Sequence, residues 1–303
     1  MRISFVISVE DHIGYQQGLP ALLNLFESYK VDATILFSLG YDNSGLNLKR
    51  LFRPAVLSSQ LPFKQKLQGT LLPPLNLAKS HADLIKSCAQ KNHDLGICAW
   101  DSVNWQLSGL DADRESTRQQ LVWSIEAFEA LLGQKPHIHG ASGLVINKHL
   151  LQLESQLGFD IAVDTRGKTA FYPTYHDVHT EVINLPVTLP GIEEYLQLDE
   201  INEDNVHEYL LVDSQKQLPQ GHIMHLRAAY EGRKWLPVVE KMIVMWRSLN
   251  WEFCRLTEVR DYLINETYKI PNHQVGWAAY PPGKRYFATQ GIPSEQSSDQ
   301  TSA

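Results

Sequence analysis

Short apolar runs alternate with amphipathic helical segments along most of this chain, and this alternation restricts the fold more than any other feature. Residues 3–9 (ISFVISV) are apolar and rich in β-branched side chains, as expected of a strand buried on both faces. Further strands are predicted at 33–37, 94–99, 137–140, 160–163, 181–185, 221–227 and 251–255. Helices are predicted at 19–29, 82–91, 112–132, 146–157, 233–249 and 256–264. Such a rhythm predicts an α/β protein whose mostly parallel sheet is closed or nearly closed into a β/α barrel.

Composition excludes several classes of protein. The chain has 303 residues, 43% of them hydrophobic, which is enough for a large core in one or two domains. Its net charge of −7 argues against nucleic acid as a partner. The three cysteines are too few and too scattered for a disulfide framework, so reduced thiols and a cytoplasmic location are expected. No apolar run reaches the roughly 18 residues of a membrane span, and the apolar start is too short for a signal peptide.

One segment differs in charge from the rest of the chain. No acidic residue occurs between Asp42 and Asp83, a stretch that is rich in leucine. Its basic residues are Lys49, Arg50, Arg53, Lys64, Lys66 and Lys79. Basic and large apolar side chains together are typical of a surface that lies on an anionic membrane, where each Lys or Arg contributes about 1 kcal/mol. The alternative is a solvated insertion whose leucines pack onto the barrel.

Several strings resemble one enzyme family, in the same order along the chain. They are LFSLGYDNSG at 36–45, Ala99–Asp101 with Trp105, DTRG at 164–167, LPVTLP at 185–190, and Ala228 with Glu231 and Gly232. From about residue 3 to about residue 270 the chain resembles the NodB-homology polysaccharide deacetylases. Within these it is most similar to the deformylases of 4-deoxy-4-formamido-L-arabinose-phosphoundecaprenol.

The resemblance implies a fold, a reaction and a location. It implies a distorted (β/α) barrel over 1–270, with a membrane-facing insertion at about 46–80 and a C-terminal extension at 271–303. The polar end of that extension, from about 290, is expected to be disordered. Family members remove a formyl or acetyl group from an amino sugar with a divalent metal. The deformylase branch acts on an undecaprenyl-phosphate-linked aminosugar at the cytoplasmic face of the inner membrane, a step of lipid A modification.

The residues that the family's chemistry requires are replaced in this chain. Ser8 stands where the family has its catalytic base, and Glu10 stands where it has a metal carboxylate. The two metal-binding histidines correspond to Cys98 and Ser102. Val145 takes the place of the supporting arginine, and Arg227 takes the place of the acid histidine.

These replacements predict that the family mechanism is lost. A neutral serine hydroxyl cannot act as a general base, and arginine does not release a proton near neutral pH. A catalytic metal typically needs three protein ligands and an open position. We therefore expect no cofactor. The alternative is a metal site for zinc or manganese rebuilt from Glu10, His12, Cys98 and His225, with Glu10 and Cys98 as the candidate ligands.

Other residues remain candidates for a pocket. The full set is Glu10, Cys98, Trp100, Asp101, Asp164, Arg166, His225 and Arg227. Asp164 and Arg166 are expected to form an ion pair, either at the pocket rim, with Arg166 taking a phosphate, or between barrel loops. Trp100 and Trp105 either face a sugar ring or pack in the core. Arg227 favours anion binding unless a carboxylate neutralises it. Asp11 and His12 either border a site or cap a turn, and His225 either enters the pocket or satisfies a core hydrogen bond.

Two functions from different classes follow. The first is a degenerate homologue that binds an anionic sugar-lipid or supports a partner enzyme of lipid A modification. The second is an active carbohydrate amide hydrolase with a rebuilt metal site. An open mouth lined by Glu10, Cys98, Asp164 and Arg227 favours binding, whereas a filled barrel favours a scaffold.

Overall fold

Parallel strands form the centre of the fold, as the sequence pattern predicts. The structure, a computed structural model, describes residues 1–49, 67–175, 178–280 and 285–293. Its strands are β1 (Arg2–Val9), β2 (Thr34–Phe37), β3 (Tyr41–Asp42), β4 (Leu75–Asn76), β5 (Asp94–Ile97), β6 (Ile138–His139), β7 (Ile161–Ala162), β8 (Tyr172–Tyr175), β9 (Val178–His179), β10 (Ile183–Asn184), β11 (His222–Arg227), β12 (Glu252–Phe253), β13 (Asn272–Tyr280) and β14 (Arg285–Pro293). Its α-helices are α1 (Leu19–Ser28), α2 (Leu77–Ser80), α3 (Ala82–Cys88), α4 (Ser102–Ser108), α5 (Arg114–Leu132), α6 (Lys148–Leu157), α7 (Ile192–Tyr195), α8 (Val206–Ser214), α9 (Ala228–Glu231), α10 (Leu236–Ser248) and α11 (Leu256–Asn265).

The main sheet has eight strands in the order β10-β7-β6-β5-β2-β1-β11, with β12 also paired to β1. Every pairing in it is parallel. Strand β1 lies between β2 and β11, with Ser8 level with Leu36 on one side and Arg227 on the other. Because all of these strands run the same way, their carboxyl ends meet at one edge, which is where a site is expected in such folds.

Burial and helix caps explain why these segments adopt their observed structures. All but the first residue of β1 are buried, in keeping with its continuous apolar sequence. Helix α5 begins after Asp113, whose carboxylate accepts a hydrogen bond from the Ser116 N–H at 2.7 Å, and ends at Gly133, which has φ 73°. Helix α6 likewise starts after Asn147 and ends at Gly158. These caps fix where the chain re-enters the sheet as β6 and β7.

The predicted α/β architecture is confirmed, and the predicted elements differ from the observed ones only at their ends. Each predicted strand of the main sheet is present, and the ends of the six predicted helices differ by at most three residues from those observed. The helix predicted from 112 begins at Arg114, since Asp113 is its cap.

The C-terminal extension forms regular structure that the sequence analysis missed. Strands β13 and β14 form an antiparallel hairpin, and β13 continues into a four-stranded sheet through β8. The Gln290 side chain accepts hydrogen bonds from the backbone N–H groups of Lys168 and Thr169 at 2.8 and 3.2 Å. Strand β14 extends to Pro293, the first residue of the polar tail PSEQSSDQTSA that is expected to be disordered. For 294–303 this expectation lies outside the described residues.

Candidate functional site

A small cavity lies at the carboxyl ends of the central strands. It has room for about one water molecule. Ser8, Glu10, Cys98 and His225, four of the residues singled out from the sequence, line it. The rest of the lining is Val6, Leu36, Gly140, Ala141, Ser142, Gly143, Leu144, Val163 and Val187. The position is the one expected for a catalytic site, but the space is too small for a sugar ring.

Strand alternation brings Ser8 and Glu10 to this cavity, since residues two apart on a strand face the same side. The Ser8 hydroxyl is buried and has no hydrogen-bond partner among the described residues. The Glu10 carboxylate accepts a hydrogen bond from the Gln106 side chain at 3.3 Å. The first strand therefore supplies one carboxylate and one neutral hydroxyl.

Cys98 directly follows β5, and Ser102 begins α4. The Cys98 side chain is 1% exposed, and burial, followed by the Glu10 charge, raises the pKa of its thiol well above the ordinary value. The Ser102 hydroxyl is hydrogen-bonded to the Ser38 hydroxyl and accepts a hydrogen bond from the Ser142 hydroxyl at 3.2 Å. Cys98 is thus a neutral buried thiol, and Ser102 belongs to a cluster of three serines.

The late strand brings His225 and Arg227 to the same end of the sheet. Burial, followed by the charge of Arg227, lowers the pKa of His225 to about 3, so its imidazole is neutral at physiological pH. Arg227 lies outside the cavity lining and pairs with Glu193 at 2.6 Å and with Glu231 at 3.3 Å. Burial raises the pKa of Glu231 to about 7 despite the charge of Arg227. Glu193 and Glu231 therefore offset the charge of the arginine, so the exception that the sequence analysis allowed, a carboxylate that neutralises Arg227, applies here.

The comparison of this chain with known families gives a match over the same strands. The sequence profile of the family described as "Polysaccharide deacetylase" matches residues 5–162, more than half of the chain. The chain belongs to the polysaccharide deacetylase family. The resemblance stated from the motifs is thereby confirmed.

Curated and structural relatives of this family extend the match to most of the chain. The probable 4-deoxy-4-formamido-L-arabinose-phosphoundecaprenol deformylase ArnD of Shewanella sediminis (strain HAW-EB3) is 26% identical over 272 residues, 86% of this chain and 86% of that protein. A probable polysaccharide deacetylase from Pseudomonas aeruginosa PAO1 superposes with a TM-score of 0.60 at 14% identity, covering 88% of this chain and 91% of that one.

A third relative is a CE4 family pseudoenzyme from Bacillus anthracis. It superposes with a TM-score of 0.53 at 12% identity, covering 86% of this chain and 66% of that one. A mutant of a CE4 family pseudoenzyme with restored enzymatic activity gives a TM-score of 0.54. These likenesses confirm the predicted fold, a distorted (β/α) barrel of the polysaccharide deacetylase type.

The residues that the motif resemblance assigns to the family's metal positions do not fit a divalent cation. The Ser102 hydroxyl is already engaged by Ser38 and Ser142, and the Cys98 thiol is held in its protonated form. A thiol binds metal as the thiolate, so only Glu10 offers an anionic ligand at these positions. Of the two histidines in the proposed rebuilt site, His225 lines the cavity as a neutral imidazole. His12 does not line the cavity and pairs through Nδ1 with His81 Nε2 at 3.0 Å. Glu10 and His225 are then two candidate ligands, fewer than the three that a catalytic metal typically needs. No step of hydrolysis can be derived through a metal at this place.

The remaining family positions serve other contacts. The carbonyl of Val145 accepts a hydrogen bond from the Trp105 indole at 2.8 Å, and Trp105 is buried, in keeping with core packing. Asp101 is the cap of α4: its carboxylate accepts hydrogen bonds from the N–H groups of Val103 and Asn104. Trp100 packs against Tyr41 and Trp123, and neither Trp100 nor Asp101 lines the cavity.

The predicted ion pair between Asp164 and Arg166 is wrong. Arg166 pairs with Glu194, because its backbone is bridged to Val187 and Thr289 and carries the side chain toward α7. Asp164 accepts a hydrogen bond from the Ala141 N–H at 2.8 Å and lies 3.5 Å from His139 Nδ1. The two side chains therefore belong to separate groups, and neither lines the cavity.

The residues next to β1 cap a turn. The Asp11 carboxylate accepts a hydrogen bond from the Gly14 N–H at 2.7 Å, which agrees with the second alternative, a turn cap. His12 donates its backbone N–H to Asp42, and its ring contacts His81. Burial, followed by the charge of His12, lowers the pKa of His81 to about 4.

A buried group of three titratable residues was not anticipated from the sequence. His139 ends β6, Asp164 follows β7, and Glu154 lies on α6 between them; the three ligand atoms lie within 4.8 Å of one another. Although burial alone lowers the pKa of His139, the hydrogen bonds that its ring donates to Asp164 and Glu154 raise it to about 10. Burial, followed by the charge of Asp164, raises the pKa of Glu154 to about 8. The available signal is that two adjacent parallel strands have a titratable residue at or just after their carboxyl ends.

The basic segment is rooted beside the cavity. Strands β3 and β4 pair antiparallel, so the chain leaves and returns at the end of β2, where Gly40 also bonds to Trp100. Leu71, within this segment, is 80% exposed. The membrane candidates Arg50, Arg53, Lys64 and Lys66 and the side chain of Lys49 lie outside the described residues. In the described ranges no helix is long and apolar enough to cross a bilayer.

Proposed function

We propose that this protein is a non-hydrolytic member of the polysaccharide deacetylase family. It holds an undecaprenyl-phosphate-linked aminosugar, or a similar anionic glycolipid, at its rim and supports a partner enzyme of lipid A modification. Its place is the cytoplasmic face of the inner membrane, as a peripheral protein. The choice of lipid rests on the relative from Shewanella sediminis, whose name states that it deformylates 4-deoxy-4-formamido-L-arabinose-phosphoundecaprenol.

One observation gives the main support for the proposal that hydrolysis is lost. The position of the second metal-binding histidine is Ser102, whose hydroxyl is engaged by two other serines. Repositioning it as a ligand would break a buried hydrogen-bonded cluster and leave hydroxyls unsatisfied, at roughly 1–3 kcal/mol for each group. The water-sized cavity supports the same conclusion, since an amide on a sugar needs space beside the metal and the base.

The surface beside the cavity supports the choice of ligand. The segment between β3 and β4 is basic and rich in leucine, and it starts and ends at the carboxyl end of β2. Exposed Leu71 offers apolar area to a membrane, while lysine and arginine side chains suit a phosphate and an anionic leaflet. The sugar-lipid therefore binds at the barrel rim, beside the segment between β3 and β4, and not inside the barrel.

The test compares the wild type with a variant in which the family residues are put back. Ser8→Asp, Glu10→Asp, Cys98→His, Ser102→His, Val145→Arg and Arg227→His are combined. Both proteins are mixed with vesicles that contain the formamido-sugar lipid and with Zn²⁺ or Mn²⁺. We expect both to bind these vesicles more tightly than vesicles without the lipid, and only the restored variant to release formate. Formate release by the wild type supports the alternative, an active amide hydrolase, and equal binding to both vesicle types contradicts the choice of ligand.

A further inference from the structure

Behind the cavity wall lie three buried side chains that the family's replaced catalytic positions do not include. The side chains of His139, Glu154 and Asp164 are 2%, 0% and 0% exposed. His139 Nδ1 lies 2.5 Å from Glu154 Oε1 and 3.5 Å from Asp164 Oδ1. They come from β6, α6 and the loop after β7, three elements that the chain brings together only in the folded state.

The group has more acceptor oxygens than the surrounding residues satisfy. Glu154 Oε2 and Asp164 Oδ2 are buried and have no hydrogen-bond partner among the described residues. Leaving a buried charged or polar atom without a partner is costly, and proteins meet this cost with a counter-charge, a proton or a metal ion. Two carboxyl groups and one imidazole form the nitrogen and oxygen donor set of a divalent transition metal.

We propose that His139, Glu154 and Asp164 bind one divalent transition-metal ion, with Zn²⁺ the best match to the donor set. Ligand atoms of a tetrahedral zinc stand about 3.4 Å apart, given zinc–ligand distances of about 2.1 Å. The separation of His139 and Asp164 already has this value, and that of His139 and Glu154 has to open by about 1 Å. The ion takes the place of the proton that His139 otherwise holds between the two carboxyl groups, and the two carboxylates balance its charge.

The site is structural in character, because all three ligands are buried and closed off from the cavity. The ion ties the end of β6 to α6 and to the loop after β7. It also lies behind Ala141 and Val163, both of which line the cavity, and therefore at a different place from Glu10 and Cys98. Metal bound by this protein does not by itself indicate hydrolysis.

Metal content separates this site from the family's metal positions. The full-length protein is purified without chelator or affinity metal, and its zinc and manganese are measured by mass spectrometry. We expect about one equivalent of metal in the wild type and in the matched variants Glu10→Gln and Cys98→Ala, and a loss of at least tenfold in Glu154→Gln. Metal that stays in Glu154→Gln and is lost in the other two variants overturns the proposal.

A second measurement holds even where Glu154→Gln fails to fold. The wild type is stripped with chelator, and its unfolding temperature is followed as Zn²⁺ is added. Binding at a hundredfold excess over the dissociation constant raises the unfolding temperature by about 5 °C. An unchanged temperature together with a metal-free wild type contradicts the site. Neither result depends on whether formate is released.

Discussion

His225 is the side chain that best reports on the cavity environment. Its pKa is lowered to about 3 by burial and then by Arg227; Glu193 and Arg166 also act on it, and Glu10 and Cys98 line the same space. An ordinary histidine has a pKa near 6.5, so His225 binds a proton between pH 6.5 and pH 3 in the unfolded chain but not in the native one. The stability that the protein gains by keeping His225 neutral is thus fully present above pH 6.5 and is lost as the pH falls toward 3.

This linkage predicts the outcome of His225→Gln. The unfolding temperature of the wild type should fall more steeply between pH 6 and pH 4 than that of the variant, as followed by circular dichroism during heating. His179→Gln, at an exposed position on β9, is the matched control and should keep the wild-type slope. Identical slopes for the wild type and His225→Gln would mean that the histidine is not held neutral.

Asp101 shows how a residue next to a family motif can have a purely local role. Its carboxylate caps α4 and also accepts a hydrogen bond from Asn43 at 2.5 Å. We expect Asp101→Ala to reduce the free energy of unfolding by about 2 kcal/mol, against about 1 kcal/mol for Asp113→Ala at the exposed cap of α5. Urea unfolding measures both. A smaller loss at Asp101 than at Asp113 would contradict this assignment.

At single positions, sequence reasoning worked where the contact was local and failed where it was not. Of the two interpretations of Trp105, core packing agrees with its buried position. The ion pair of Arg166 was assigned to Asp164, two residues away, whereas its actual partner, Glu194, lies 28 residues further on. The group of His139, Glu154 and Asp164 was missed because its members meet only through strand pairing. Nothing in their spacing marks them as neighbours.

At the scale of elements, one close approach is required between the start of α1 and α9. Residues 14–18 form a π-helical turn, and a Cβ at Gly18 would lie 1.8 Å from the carbonyl oxygen of Ala228. Gly18→Ala therefore forces backbone apart, and we expect it to reduce the free energy of unfolding by about 3 kcal/mol or more.

Gly133→Ala is the matched control for that substitution. A Cβ at Gly133 meets nothing within 4 Å, so only the positive φ of 73° opposes alanine. The expected loss is about 1 kcal/mol, measured by the same urea unfolding. Equal losses at the two glycines would show that α1 and α9 are not packed as closely as described.

Most helices and strands could be predicted, because hydrophobic periodicity and capping depend on residues that are close together in the sequence. The strands of the main sheet and the order of helices followed from apolar runs. The hairpin of β13 and β14 did not, although NHQVGWAAY at 272–280 is rich in strand-forming residues. Its pairing with β8 joins segments about 100 residues apart, and no local pattern reports such a contact.

At the scale of the whole molecule, the proposed function assigns membrane binding to the basic segment between β3 and β4. We expect binding to vesicles that contain anionic lipid, and a loss of about a hundredfold or more in affinity when Arg50, Arg53, Lys64 and Lys66 are changed to glutamine. Co-sedimentation at low and high salt measures this, and salt should weaken the wild type.

The control for that variant changes four exposed lysines elsewhere, Lys30, Lys135, Lys148 and Lys241, to glutamine. It removes the same charge and should bind vesicles nearly as well as the wild type. Equal losses in the two variants would mean that net charge, and not this segment, drives binding. Absence of binding by the wild type would contradict the proposal that this protein binds a membrane.

The central claim is that the family barrel persists after its hydrolytic residues have been replaced. The most direct test is a single-turnover assay with the wild type in excess over the formamido-sugar lipid, with Zn²⁺ or Mn²⁺ present, and with formate quantified over hours. We predict formate no higher than in a protein-free control with the same metal. Stoichiometric formate release that is lost in Glu10→Gln would contradict the claim and show that the cavity is an active site.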